Sequence, residues 1–216
     1  RTPLPMDEAS RMARAQEAGF DAGTPLYHGT GEDFQSFDPA FRGGVADAYS
    51  ARRADWLTDS PVTSQGYADM AAREAPVARL VKASEAAERR GDWDAASDLM
   101  VQAENLEATM PQSNGQSILP TLSKRPQTRL DADGGGVNDL ETSMRDALTD
   151  AQKSNDVGVE IRNFSDHPDY SVEDAALHRG IFSPQDIRSR FARFDPEFAH
   201  LGNLSAGVAG LGVVGL

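Results

Sequence analysis

The stretch Leu-Tyr-His-Gly-Thr at residues 26–30 decides which fold the sequence predicts. Apolar and aromatic residues before His28 favour a short strand, and Gly29 allows the backbone to approach a ligand closely. A lone histidine at a strand end is more often structural than functional. A role for His28 therefore depends on the motifs that surround it.

A second short strand is predicted at Trp56-Leu57-Thr58, and a helix start follows it. Ser60 is a typical N-cap residue, and Pro61 suits the first position of a helix. Ser64 and Tyr67 come shortly afterwards. By itself Tyr67 would be an ordinary core or surface aromatic residue.

Periodicity and capping signals predict the remaining elements. We expect helices at 7–18 and from Asn138 onward, a helical hairpin about 89–92, and strands at 118–122, 157–161 and 180–182. Pro120 favours an edge position for the strand at 118–122, and residues 123–136 have the composition of a loop. Asn138 with Glu141 three residues later is a variant of the capping box.

Acidic residues are in excess, with 34 Asp and Glu against 21 Lys and Arg, a net charge of −13. The excess is uneven, because residues 85–160 hold 15 acids and 7 bases, a net charge of −8. This charge argues against a general nucleic-acid binder and against docking on an anionic membrane. We interpret the middle of the chain as an acidic insertion that faces a partner.

Several other classes of protein are excluded by composition and spacing. The chain has no cysteine, so disulfides, thiolate nucleophiles and cysteine-zinc sites are absent, and its four histidines lack metal-ligand spacing. Gly134-Gly135-Gly136 lacks the Lys-Ser/Thr of a P-loop. Gly29-Thr30-Gly31 is too short for a Rossmann fingerprint. We therefore expect no metal.

One domain is expected at 1–205, with a helical insertion about 75–115. Residues 206–216 form an apolar, Gly-rich tail that we expect to be flexible or truncated, and it is too short to span a bilayer. The start at Arg1 lacks a secretory signal and indicates a piece of a larger parent polypeptide.

The order of these motifs resembles a known enzyme class. His28-Gly29-Thr30, then Trp56-Leu57-Thr58-Asp59, then Tyr67 resemble the NAD site of the diphtheria-toxin and poly-ADP-ribose-polymerase class of ADP-ribosyltransferases. A closer resemblance, over about 6–205, is to the ADP-ribosyltransferase domains of phage and mobile-element polyvalent proteins. It is carried by MDEASRM (6–12) with GFD (19–21), DVGV (156–159) with NFSD (163–166), and FSPQDIRS (182–189) running into FARFDP (191–196).

The resemblance implies an α+β fold in which two small, mostly antiparallel sheets form an NAD cleft, with flanking helices and a helical insertion. It also implies roles for individual residues in binding NAD. His28 would bond a hydroxyl of the adenosine ribose, and the backbone of Gly29, next to Thr30, would hold the nicotinamide carboxamide. Trp56 and Tyr67 would stack on the nicotinamide, and Ser64 would touch its carboxamide.

The third motif departs from the usual pattern, because Gln185 stands where toxins and polymerases have a glutamate. A neutral amide can position the ribose but stabilises positive charge less. Arg188, in a local cluster with Arg190 and Arg193, is a candidate to pair with the NAD pyrophosphate; the alternative is salt bridging to the acidic body. Glu173 is a candidate carboxylate in a loop whose other acids, Asp166, Asp169 and Asp174, are expected to be solvated.

The resemblance implies a mono-ADP-ribosyltransferase that uses NAD as substrate, with His28, Tyr67 and Gln185 as its catalytic residues. The acceptor would be a host macromolecule, a protein rather than a nucleic acid, in the host bacterial cytoplasm after phage-encoded production or delivery in the virion. Two alternatives stay open. One is an NAD glycohydrolase, and the other is a non-catalytic module that binds NAD or a partner.

Overall fold

The computed structural model describes residues 3–44, 48–109, 117–168 and 174–205. Within these ranges the chain has an α+β fold with one mixed sheet of seven strands and four α-helices. The apolar tail at 206–216, Asp169 and Glu173 lie outside the described residues.

The seven strands lie in the order β4-β5-β6-β2-β1-β3-β7. Five of the six neighbouring pairs are antiparallel, and only β4 and β5 run parallel. The strands are β1 (Leu26–Thr30), β2 (Asp55–Thr58), β3 (Ser117–Ser123), β4 (Thr128–Asp131), β5 (Gly158–Ser165), β6 (Ala175–Ile181) and β7 (Ile187–Ser189). The helices are α1 (Glu8–Glu17), α2 (Pro61–Arg89), α3 (Trp93–Thr109) and α4 (Val137–Lys153).

The junction between β1 and β2 is the weakest in the sheet, because one residue pair, Tyr27 with Thr58, joins the two strands. By comparison, β1 pairs with β3 along its whole length, from Leu26 to Thr30. The expectation of two separate sheets is wrong, since this single pair joins all seven strands into one sheet. We call the junction the seam.

The two faces of the sheet are covered differently. Helices α2 and α4 lie on one face, which we call the helix face; there Met144 and Leu148 of α4 pack on Val159 and Ile161 of β5. The other face, the loop face, is covered by irregular segments that bring Phe37 onto the strands. Its core contains Leu26, Phe37, Leu57, Ile181, Ile187 and Leu204.

Helix α2 begins as the sequence predicts, with Ser60 accepting a hydrogen bond from the Thr63 amide and Pro61 at the first position. The helix lies directly on β1, and a Cβ on Gly29 would overlap the Ser64 carbonyl oxygen and stand 2.6 Å from the Ala68 nitrogen. Gly29 is therefore required by the close approach of α2 to the sheet.

The predicted helical hairpin is confirmed, with Gly91 in the left-handed region (φ +78°) between α2 and α3. Its first arm does not start near residue 75. Instead, α2 continues without interruption through Pro76 to Arg89. The Ser84 hydroxyl donates to the Ala96 carbonyl and fixes α3 against the second half of α2.

Helix α1 is confirmed, and Asp7 caps it by accepting a hydrogen bond from the Ser10 amide. The start of α4 differs from the expectation. The N-cap is Gly136, whose amide donates to Asp139, so the predicted box of Asn138 with Glu141 is wrong. Asp139 reaches the N-cap amide because it occupies the third helical position, where a capping carboxylate belongs.

Two strand predictions were also wrong. The strand containing Pro120 is not at an edge, because β3 lies between β1 and β7. Pro120 is tolerated because it directs its carbonyl to the Arg190 amide just past the Thr121–Ser189 end of the β7 ladder, where no strand N–H is required. The region 123–136 is not entirely loop, since it contains the short strand β4.

We expect Gly29→Ala to lower the free energy of unfolding by about 2–3 kcal/mol, because the added methyl group meets the backbone of α2. Urea denaturation measures this. Gly23→Ala is the matched control, since the nearest atom to its Cβ outside the adjoining residues would be a side-chain oxygen of Asp21, at 3.5 Å. Equal stability of the two variants would contradict the close packing of α2 on β1.

Candidate functional site

His28 lies at the seam, and its Nδ1 is 3.0 Å from the Trp56 carbonyl oxygen. A carbonyl only accepts, so Nδ1 carries the proton and donates, and Nε2 is the acceptor of the neutral ring. Burial lowers the pKa of His28, which keeps the ring neutral at pH 7. Phe34 and Phe37 hold the ring edge-on, at centroid distances of 5.8 and 4.8 Å.

The bond from His28 replaces the next step of the β1–β2 ladder. In a regular antiparallel ladder, Gly29 and Trp56 would pair after Tyr27 and Thr58. Here the Trp56 carbonyl takes the His28 side chain. In a regular strand, the amide and carbonyl of Gly29 would then face the seam beyond the last pair. A backbone N–H beside a C=O is complementary to a carboxamide, which offers one acceptor and two donors.

Ser64 lies on the side of α2 that covers Gly29. Its hydroxyl is buried and lacks a hydrogen-bond partner among the described residues. Buried polar groups in native proteins are nearly always bonded, so such a hydroxyl is a candidate ligand contact. Gly29 and Ser64 are thus brought together as the resemblance implies.

The two aromatic residues are held by different partners. Trp56 points to the helix face, where its ring lies over Gly180 and its Nε1 donates to the Ser50 carbonyl at 3.0 Å. Tyr67 on α2 is hydrogen-bonded to the Asp166 side chain. The nicotinamide sandwich therefore stays a prediction.

Gln185 is exposed in a short turn between β6 and β7. The flanking residues Ile181 and Ile187 are buried in the same cluster as Phe37, the ring that contacts His28. One apolar cluster thus connects the Gln185 turn to the His28 strand.

The other two residues predicted to contact NAD, Thr30 and Arg188, form hydrogen bonds within the protein. The Thr30 hydroxyl donates to the Glu32 carbonyl and accepts from the Glu32 amide. Arg188 is 1% exposed. Its guanidinium donates to backbone carbonyls of the residues Pro184, Ile187, Ala199 and Leu201. It is therefore turned into the protein and away from an external pyrophosphate.

The alternative of salt bridging holds for Arg190, which pairs with Glu8 at 2.8 Å. Two of the acids expected to be solvated, Asp166 and Asp174, form hydrogen bonds within the protein. Asp174 accepts hydrogen bonds from the hydroxyls of Ser60 and Thr63. Asp166, bonded to Tyr67, has its pKa raised to about 6 by burial.

Sequence reasoning missed an arginine cluster on the loop face. Arg125, Arg129, Arg162 and Arg179 all lie within 3.6 Å of the buried carboxylate of Glu160. These residues come from the β3–β4 connection and from strands β4, β5 and β6. Only the folded sheet brings them together, so no local motif signals the cluster.

A cleft of about 620 Å³ opens beside this cluster. Arg125, Arg162 and Arg179 line one side, and Ser60 and Pro61 at the start of α2 line another. A volume of this size is in the range of small-molecule sites.

No protein-family model, no curated protein and no solved structure matches the chain. No helix in the described part of the chain is long and apolar enough to cross a membrane. Among the same residues, no group of histidine and acidic side chains is arranged to hold a metal ion.

We expect stability to depend on Asp166 between about pH 4 and pH 6. Its pKa is higher in the folded protein than its usual 3.8, so folding binds a proton there, and this group favours the folded state more as the pH falls. Asp166→Asn removes this effect. Relative to the variant, the wild type should gain on the order of 2 kcal/mol from pH 7 to pH 4.

Urea denaturation at both pH values checks this, with Asp146→Asn, an exposed acid on α4, as the matched control. A difference between wild type and Asp166→Asn that does not change with pH would refute the burial of Asp166.

Proposed function

We propose that the chain is a mono-ADP-ribosyltransferase, which transfers ADP-ribose from NAD to a host macromolecule and releases nicotinamide. The observation that carries the proposal is the seam. There the His28 side chain takes the Trp56 carbonyl, and Gly29 lies just beyond the single pair that joins β1 to β2. The motif order described above supports the same function.

We also propose the ADP-ribosyltransferase-like fold. In this proposal the seam divides the single sheet into two groups of strands, and the NAD cleft lies between the two groups. The single pair between Tyr27 and Thr58 supports this division, because little backbone pairing opposes their separation.

The reaction breaks the bond between nicotinamide and ribose through an oxocarbenium-like state, as in glycoside hydrolysis. The site must hold the nicotinamide while that bond lengthens. In our proposal the Gly29 amide donates to the carboxamide oxygen and the Gly29 carbonyl accepts from its nitrogen. Ser64 adds a third contact, supported by its unpaired hydroxyl. Trp56 and Tyr67 supply aromatic faces for the nicotinamide cation.

The role proposed for His28 is to orient ribose. With Nδ1 bonded to Trp56, Nε2 accepts a hydrogen bond from a ribose hydroxyl. The lowered pKa of His28 favours this, since the neutral ring keeps Nε2 as an acceptor. Thr30 lies at the end of the same strand.

Gln185 takes the position of the usual glutamate in this proposal. Its amide positions the reacting ribose through a hydrogen bond, but it lacks the negative charge that would stabilise the oxocarbenium ion. Slow transfer is therefore expected.

The acceptor is proposed to be a basic protein rather than a nucleic acid. Helix α3 supports this, because it carries Asp94, Asp98, Glu104 and Glu107 and has no lysine or arginine. We place the reaction in the host bacterial cytoplasm, with the domain acting as part of a larger phage-encoded polypeptide.

Incubation with NAD labelled in its ADP-ribose moiety and bacterial lysate tests the activity. We expect a labelled macromolecule and free nicotinamide, with both reduced at least about a hundredfold by His28→Ala. His200→Ala, an exposed histidine, is the matched control. Absence of both products would exclude an enzyme that cleaves NAD. Nicotinamide without a labelled acceptor would identify an NAD glycohydrolase.

Gln185→Glu is expected to raise the rate of nicotinamide release about tenfold or more, because a carboxylate stabilises the oxocarbenium ion better than an amide. The side chain is exposed, so the substitution leaves the fold intact. Gln102→Glu on α3 is the control for the added charge. NAD binding without turnover in both the wild type and Gln185→Glu would instead favour the non-catalytic module.

A further inference from the structure

The cluster of arginines around Glu160 carries more positive charge than its carboxylate neutralises. Glu160 is fully buried on β5, and Arg179 on β6 is fully buried beside it, with Nη2 at 3.0 Å. Arg162 donates to the other carboxylate oxygen through Nε at 3.1 Å and Nη2 at 2.9 Å. Both oxygens of Glu160 are therefore already bonded by these two arginines.

Arg125 and Arg129 bring two further positive charges to the same carboxylate. Each places its Nε 3.6 Å from a Glu160 oxygen, which is too long for a hydrogen bond, and each is 48% exposed. Their guanidinium groups therefore lie at the surface above an acid whose acceptors are taken. The surplus donors are the planar forks that suit bidentate binding of an oxyanion.

The positive charge of the network is concentrated around Glu160. Asp21 also pairs with Arg179, at 2.7 Å. Two acids thus face four arginines there, and Asp59 and Asp174 elsewhere on the cleft wall bring the acids to four. Glu160 keeps its negative charge. Burial raises its pKa, but the neighbouring arginines outweigh burial and hold the pKa below its usual range.

The cleft beside the cluster provides space for a ligand. Its volume of about 620 Å³ has Arg125 and Arg162 in the wall. Asp59 and Asp174 line it as well, but both are engaged by the protein. Asp59 accepts from the Leu177 amide at 2.9 Å, and Asp174 accepts from two hydroxyls at the start of α2.

We propose that this cleft binds a phosphate-bearing group through the guanidinium of Arg125 and the Nη1 group of Arg162, which Glu160 does not engage, with Arg129 adding to the attraction. Two sources share this chemistry, the pyrophosphate of NAD and a phosphate on the acceptor. The first source rests on the proposed function. The binding of a phosphate group by the cleft does not.

Titration calorimetry of the intact chain with inorganic pyrophosphate at low ionic strength tests the site. We expect Arg125→Gln/Arg162→Gln to weaken binding at least about tenfold, since charge-assisted hydrogen bonds are lost. Both side chains are about half exposed, and Arg129 and Arg179 still face Glu160 in the variant. Thermal unfolding of the variant confirms that it is folded.

Arg73→Gln/Arg90→Gln is the matched control, because it removes the same charge from exposed positions on and next to α2. Binding that is equally weakened in both double variants would overturn the proposal, since it would then reflect overall charge. Absence of pyrophosphate binding to the wild type would overturn it as well.

Competition with NAD distinguishes the two sources. If the cleft holds the NAD pyrophosphate, inorganic pyrophosphate displaces NAD, and Arg125→Gln/Arg162→Gln raises the Kd for NAD. If it holds an acceptor phosphate, both ligands bind together. These measurements need no turnover, so a chain that binds pyrophosphate and transfers no ADP-ribose would refute the proposed function alone.

Discussion

A histidine side chain takes the place of a backbone amide at the junction of β1 and β2, and the arrangement of the candidate site depends on this exchange. The bond from His28 to the Trp56 carbonyl ends the ladder after Tyr27 and Thr58. It also selects the tautomer of the ring, and Gly29 lies beyond the last pair. Sheet continuity and ligand access are therefore set by the same carbonyl, and a regular ladder at this point would close the seam.

The parts of the fold that the sequence predicted are those with local signals. The Asp7 and Ser60 caps and Pro61 each act within a few residues, and the helices that they begin were placed correctly. Strand β4 was missed because four residues, Thr-Arg-Leu-Asp, carry too short a pattern to recognise. The interior position of β3 depends on pairing with β7, about seventy residues later along the chain, which no local pattern reports.

In the candidate site as well, only the features with local signals could be predicted from the sequence. The motif order anticipated that Gly29 and Ser64 would lie close together, since a strand, a turn and a helix start fix their approach. The direction in which a side chain points could not be predicted from the sequence. Arg188 was therefore expected to face a ligand, although it is bonded to carbonyls inside the protein. The cluster at Glu160 was equally hidden, because its members meet only when four segments of the chain are assembled.

Pro76 divides helix α2 into a section that packs on the sheet and a section that forms the first arm of the hairpin. Proline has no amide to donate to the Ala72 carbonyl, so the hydrogen-bond ladder of the helix is interrupted just after the section that lies on Gly31. Beyond it, the contact of Arg79 with Glu32 joins two exposed side chains and is weak. The hairpin is consequently a modular appendage. A change in the length or surface of the hairpin would therefore leave the section of α2 that places Ser64 in position on the sheet.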